Sequence, residues 1–374
     1  MLPLSGLVVA DFSRVLAGPY ASMLLGDLGA DVIKVERPEG GDDTRAWGPP
    51  WRDGEATYYL GLNRNKRSVA LDLGLAADLA LARELLVRSD VMLESFRPGL
   101  MAGWRLDGAS LRASSNPGLV SCSVSAFGTG PAAAGLPGYD LLLQAMGGLM
   151  SVTGTADGPP LKAGAALVDL TCGLLCVTGI LAALRARDLS GAGSHVEVSL
   201  MDSVLTSLLN QGSSWVMGGV LPARRGNRHP SIAPYSTFMA SDRPFALAVG
   251  NDRLFVRCCD AAGVPELASD PRFATNSSRV EHVDELTAEL ERVFASRTAD
   301  EWVAVLRAAS VPVGPINSVA EAYELAASLG LEPVDAASGV PAVPLRLDGE
   351  RPPVRLPPPG LDEHGDSIRE WLLS

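Results

Sequence analysis

Asp169 stands alone in its surroundings. It is the only charged residue in the stretch 163–184, AGAALVDLTCGLLCVTGILAAL. A carboxylate buried singly among apolar side chains is strongly disfavoured unless something compensates it. Two readings follow. Asp is a preferred N-cap, so Asp169 could simply cap the helix that the apolar run predicts over about 169–187. Alternatively, that helix N-terminus holds an ionised carboxylate in a dry pocket, poised to attack an electrophile. Spacing alone favours the cap, whereas the small neighbours Gly164, Ala165, Ala166 and Gly173 leave room for a ligand.

Basic residues supply the second constellation: Lys34 with Arg37, Arg64-Asn65-Lys66-Arg67, and Arg97 before Pro98-Gly99. In a chain of net charge −12 these are candidate phosphate contacts, although each cluster taken singly reads as solvated surface charge. The acidic balance argues against nucleic acid as the main partner. Five cysteines without a CxxC pair suggest reduced thiols and a cytoplasmic setting. The four histidines are scattered, which argues against a metal site. The first apolar stretch meets Asp11 and Arg14 with no basic leader, unlike a signal peptide. The uncharged run 170–184 is too short to span a bilayer. The run 203–223 carries Asn210, Gln211, Ser213 and Ser214 and reads as a buried helix.

The elements that must position these groups alternate. A strand at 7–12, a helix opening at Gly18-Pro19 and ending at Gly29, and a strand at 31–36 predict a parallel β-α-β unit. Glu36 ends that second strand, where a ribose-binding acid would sit. The turn 16–22 has no GxGxxG, so the segment supports only a Rossmann-like layer whose helix N-terminus is free to meet an anion. Strands at 68–73, 91–93, 119–124 and 195–200 follow, with helices at 76–89 and 139–150. The loop 127–138 is rich in glycine and alanine. The character changes near Leu221. A basic loop at 224–234 precedes a strand at 245–250 and helices at 252–262, 279–294 and 299–309. Beyond Asp335 the chain is rich in proline, with a strand near 343–347 and a short final helix. With 374 residues, two domains are expected, and the tail is expected to return to the first.

Taken together, the motifs VADFSRVLAGPYASMLLGDLGADVIKVERPEGGD, LNRNKRSVALDL, DVMLESFRPG, GYDLLLQAMGGLMSVTG, AGAALVDLTCGLLCVTGILAALRAR, VEVSLMDSVL and GNRHPSIAPY, with Asp362-Glu363-His364 near the end, carry a resemblance. The chain resembles the family III CoA-transferases of the CaiB/BaiF type. This group includes formyl-CoA transferase and carnitine CoA-transferase, and alpha-methylacyl-CoA racemase is a relative of the same fold. The resemblance implies an α/β fold with a Rossmann-like large domain built from both chain ends and a smaller second domain. The expected division is 1–220, 221–330 and a returning segment 331–374, in an interlocked homodimer. It implies that Asp169 attacks an acyl-CoA thioester and carries first the acyl group and then CoA. It places CoA along Val15, Leu16, Ala17, Arg37, Leu71, Leu73, Ser95, Phe96 and Arg97, with Tyr139 and Asp140 at the thioester end. Coenzyme A and acyl-CoA are then substrates, alongside a carboxylic acid, with no permanently bound cofactor, metal, nucleic acid or membrane.

The alternative within the fold is racemisation beside the thioester. The racemases carry a His where this chain has Tyr139, and an unperturbed phenol is a poor base at neutral pH. Formyl-CoA transferase has Gln at the position of Leu16 and a glycine-rich loop where this chain reads Gly226-Asn227-Arg228-His229-Pro230, which argues against formate and oxalate.

Overall fold

A computed structural model describes residues 1–133 and 135–374, so Ala134 of the 127–138 loop lies outside the described residues. The chain divides into two compact units. Unit 1 comprises Met1–Leu149, Lys162–Val220 and Glu332–Ser374; unit 2 comprises Met150–Leu161 and Leu221–Leu331.

Unit 1 is mixed α/β and is built on a six-stranded parallel sheet. Its strands are β1 (Val8–Phe12), β2 (Asp31–Glu36), β3 (Lys66–Ala70), β4 (Val91–Glu94), β5 (Val120–Ser125) and β6 (His195–Ser199). Their spatial order is β3-β2-β1-β4-β5-β6. The adjacent strands β1 (VVADF) and β4 (VMLE) are largely apolar because both faces are covered, whereas the edge strands β3 (KRSVA) and β6 (HVEVS) carry polar residues. Val9, Val32, Val91, Leu93 and Val120 enter one core, and their neighbours Ala10, Ile33, Met92 and Leu119 enter the other.

The first face is covered by α1 (Ala17–Asp27) and α4 (Leu167–Ser190). Between them in sequence lie α2 (Ala76–Arg88) and α3 (Asp140–Met146), and α5 (Leu200–Ser207) follows β6. Gly173 lets α1 and α4 meet: a Cβ there would lie 2.8 Å from the Ala17 carbonyl oxygen and 2.9 Å from the Tyr20 ring. The second face is covered by α2 and by the C-terminal helix Gly365–Leu373, whose Ile368 and Leu372 are buried against it.

The returning tail is fastened to unit 1 by polar contacts. The Arg355 and Leu356 N–H groups donate to Asn65 Oδ1, and the Arg355 guanidinium donates to the carbonyls of Gly26 and Ala30. Asp362 Oδ1 accepts from the Ala70 N–H at 2.7 Å, beside β3.

Unit 2 has a three-stranded antiparallel sheet of β7 (Tyr235–Met239), β8 (Pro244–Ala248) and β9 (Val313–Pro315), with β8 in the middle. Helices α6 (Asp252–Ala262), α7 (Val283–Phe294) and α8 (Ala299–Ala308) pack with it around Phe238, Phe245, Phe294 and Trp302, whose rings meet edge to face.

Several expectations are corrected. The helix expected over 279–294 is two helices, Asn276–Glu281 and α7, divided at His282. The helix expected over 139–150 stops at Gly147, where a Cβ would lie 2.0 Å from the Val204 side chain. No strand forms over 343–347, where the only ladder contact is an isolated bridge from Leu347 to Glu350. The run 203–223 is not one buried helix: α5 gives way to Asn210–Val216, and Trp215, Val216 and Met217 are exposed. Helix α4 extends beyond the uncharged run to 24 residues, long and apolar enough to cross a membrane by length and composition. Its Val168, Cys172, Cys176, Val177, Ile180 and Leu184 are instead built into the core of unit 1.

Candidate functional site

In the order β3-β2-β1-β4-β5-β6 the chain reverses direction across the sheet between β1 and β4. Ligands of such sheets bind in the crevice outside the carboxyl ends of those two strands. A cleft of about 280 Å³ lies there, walled by the loop after β1 (Arg14 to Leu16) and the first residues of α1 (Ala17 and Gly18), the loop after β4 (Ser95 to Pro98), the end of β5, Tyr139 and Asp169. The two loops are tied where the Arg14 N–H donates to Ser95 Oγ at 3.1 Å. A second cavity of about 350 Å³ shares Arg14 and Phe96 as walls and runs past Arg37 to Leu71, Asp72, Leu73 and Gly74. Side by side, the two cavities suit a long ligand with an anionic end.

Asp169 lies in the wall of the first cleft and is only 7% exposed. It is the third residue of α4; the cap position belongs to Ala166, so the capping reading is corrected. Among the described residues, no group donates a hydrogen bond to its carboxylate. The N–H groups that a helix N-terminus could offer are already engaged. Asp140 Oδ1 accepts from the Val168 N–H at 2.9 Å and the Asp169 N–H at 3.3 Å. Burial, and then the charge of Asp140, push the Asp169 carboxyl up to about 7. The expectation that the helix end favours the ionised form is therefore reversed. The buried Gln144 amide completes the arrangement, donating to Asp140 Oδ2 at 2.5 Å and accepting from the Ala163 N–H at 2.8 Å. Tyr58 faces the same carboxylates. Burial and the charges of Asp169, Asp140 and Asp42 push its phenol up to about 12.

Beneath the cleft lies a buried ionic network. Lys34 Nζ donates to Asp42 at 2.9 Å and to the Ser13 carbonyl at 3.1 Å. Lys66 Nζ bonds Asp11, the Pro19 carbonyl and Asn63. Burial opposes the charge on Asp11, but Lys66, Lys34 and the hydroxyls of Ser13 and Ser22 outweigh it and hold Asp11 below its usual value. Arg64 forks onto Asp27. Lys34, Arg64 and Lys66 are thus buried and internally paired; Lys34 also lines the second cavity, whereas Arg64 and Lys66 line neither, and for those two the expectation that they meet phosphates is corrected. Glu36 lines the second cavity, with its carboxylate bonded to Arg45 and the Ser68 hydroxyl. The network fixes Val15, whose N–H faces both Asp42 oxygens at 3.3 Å. Val15 holds φ 72, a backbone region that β-branched residues almost never adopt.

Of the residues named from sequence, Val15, Leu16, Ala17, Ser95, Phe96, Arg97, Tyr139 and Asp169 line the first cleft. Arg37, Leu71 and Leu73 line the second with Phe96. Asp140 stands behind Asp169 at the start of α4. Sequence reasoning missed Arg14, Asp43 and Gln144. Arg14 carried a signal, as a base directly after the first strand. Asp43 bonds Arg37 at 2.5 Å and approaches Arg14 at 3.5 Å. In unit 2, Arg228 pairs with Asp284, and the His229 ring lies against Tyr235.

Comparison with known proteins adds independent findings. The family described as CoA-transferase family III matches residues 4–365. The chain is 42% identical over 373 residues to the acetyl-CoA:oxalate CoA-transferase of Acetobacter aceti, covering 98% of this chain and 95% of that one. It is 44% identical over 328 residues to the succinate–glutarate CoA-transferase of Agrobacterium fabrum, covering 86% and 82%. The crystal structure of a CAIB/BAIF family protein from Brucella suis superposes with a TM-score of 0.87 at 42% identity, over 99% of each chain.

Proposed function

The chain belongs to CoA-transferase family III, and from that premise we propose that it moves coenzyme A between carboxylic acids by covalent catalysis on Asp169. The observation that carries this reading is a buried carboxylate, without a hydrogen-bond donor among the described residues, in the wall of the cleft at the β1/β4 crossover. The ionised Asp169 adds to the thioester carbonyl carbon, the C–S bond breaks, and CoA leaves as its thiolate. The resulting mixed anhydride is opened at the aspartyl carbon by that thiolate, which releases the donor acid and leaves an aspartyl-CoA thioester. The acceptor carboxylate displaces CoA from it, and CoA then takes the acceptor's acyl group. No net proton or electron is consumed. A dry wall around Asp169 protects both intermediates from water.

The two cavities support the CoA placement: Arg14, Arg37 and Arg97 for its phosphates, Leu71 and Leu73 for the adenine, and the strained loop at Val15 to Ala17 for the thioester end. Both curated relatives are named for dicarboxylic acids, which supports a short dicarboxylate among the substrates. The first of them is named for oxalate, which weighs against the doubt about oxalate drawn from Leu16 and the 226–230 loop. We also read the protein as an interlocked homodimer with the expected division at 220 and 330. The returning tail and the exposed apolar side chains of unit 1, among them Leu142, Met146, Leu205, Leu209, Trp215 and Met217, support the assembly. Five buried, unpaired cysteines suit a reducing compartment and support a cytoplasmic setting.

The mechanism makes an isotopic prediction. With the acceptor acid labelled with heavy oxygen in its carboxylate, one labelled oxygen should remain on Asp169 after a turnover, as peptide mass mapping would show. Asp169→Ala should lose turnover and keep CoA binding. Transfer that leaves Asp169 unlabelled would exclude the covalent route. Incorporation of solvent deuterium beside the thioester of a 2-methylacyl-CoA, without any acid acceptor, would instead indicate racemisation.

A further inference from the structure

The arrangement behind Asp169 is built from a second carboxylate and an amide that touch neither cavity. We infer that Asp140, clamped by Gln144, is a positioning residue that keeps Asp169 reactive by taking up the N–H groups at the start of α4 and setting a like charge behind the nucleophile. This deepens the covalent reading of Asp169 and rests on it.

The geometry is specific. One oxygen of Asp140 accepts from both Val168 and Asp169 N–H groups, and the other accepts from Gln144. The same Gln144 accepts from the Ala163 N–H, so α3 grips the chain on both sides of the 164–166 turn. Gln144 is fully buried, and truncating it would leave Asp140 without its clamp. A carboxylate in the first turn of a long helix ordinarily gains from free N–H groups and the helix dipole. Here that gain is spent on Asp140, leaving Asp169 poorly stabilised as an anion. Acylation turns Asp169 into a neutral anhydride or thioester and removes the repulsion, so the pair favours bond formation. The other groups facing Asp169 are the Tyr58 phenol, the Cys172 thiol one turn along α4, and Arg14, Asp43, Arg97 and Tyr139 around the cleft. None of them takes the N–H groups of α4.

The test is Asp140→Asn, which keeps the shape and one acceptor oxygen but removes the charge. The wild-type enzyme should lose kcat/KM as pH falls through neutrality, because Asp169 protonates there. In Asp140→Asn that acid limb should move down by about one pH unit or more, a tenfold or greater change in ionisation constant. The fraction of Asp169 trapped as a covalent adduct by hydroxylamine at neutral pH should fall, while CoA affinity by calorimetry stays close to wild type. Gln144→Leu, which loosens the clamp but keeps the charge, should lower kcat with a much smaller movement of the limb. An acid limb that stays in place or moves up in Asp140→Asn would overturn the proposal. If the wild-type enzyme itself yields no adduct on Asp169, the covalent reading fails instead, and the two failures are told apart by that control.

Discussion

A raised carboxyl pKa is a stability statement as well as a chemical one. The unfolded chain ionises Asp169 near the ordinary value of about 3.9, whereas the folded protein holds it up at about 7. Between those values the folded state binds the extra proton, so this residue's contribution to stability falls as pH rises from 4 to 7 and stays low above. Asp169→Asn removes that penalty. The variant should be more stable than wild type at pH 8, by roughly 2–4 kcal/mol, and the advantage should vanish near pH 4. Thermal melts of the two proteins across that range would check this, and equal melting at pH 8 would contradict the burial of an anion here. The isolation of Asp169 was legible from its apolar neighbours. Its repulsive partner was not, because Asp140 is 29 residues away and only the packing of α3 on α4 brings the two together. The same applies to Lys34 and Lys66: a basic side chain reads as surface charge until the fold supplies Asp42 and Asp11.

At the scale of elements, the contact between α1 and α4 decides where Asp169 stands relative to the loop after β1. Helix propensity alone predicts that Gly173→Ala stabilises α4 by about 1 kcal/mol. The added Cβ would lie 2.8 Å from a backbone carbonyl that has no rotamer to escape into. The clash should win, because α1 must shift away and carry Ala17 with it. We expect Gly173→Ala to lower both the melting temperature and kcat, with the larger proportional loss in kcat; a more stable and fully active variant would show that propensity wins. The six strands of the parallel sheet were readable to within a few residues, the strand expected at 68–73 lying instead at Lys66–Ala70, where a basic start hides it, and the short pairing of Trp51–Arg52 with Glu55–Ala56 was not legible. Boundaries failed where a break depends on a distant neighbour, as at Gly147 against Val204. The interruption at His282 has no comparable cause in the contacts around it.

For the whole molecule, assembly is the property to measure. The proposed interlocked subunits could not separate while folded, so on that proposal sedimentation should show a dimer whose proportion does not change down to nanomolar concentration. Monomer that appears on dilution, and remains active, would rule out interlocking. The boundary expected near Leu221 rests on the basic loop 224–234 and the mainly helical stretch that follows it. The excursion 150–161 into unit 2 carries no such shift in composition, because a segment that short adds too little to either core to mark its allegiance.

The fastening of residues 355–373 to β3 and the second face of the sheet also has a consequence for biosynthesis. Translation delivers β1 to β6 early, but Arg355, Asp362, Ile368 and Leu372 leave the ribosome only after all of unit 2 has been made. Until then α2 covers the second face without the C-terminal helix, and the part of it that Ile368 and Leu372 will bury stays open to solvent in the nascent chain.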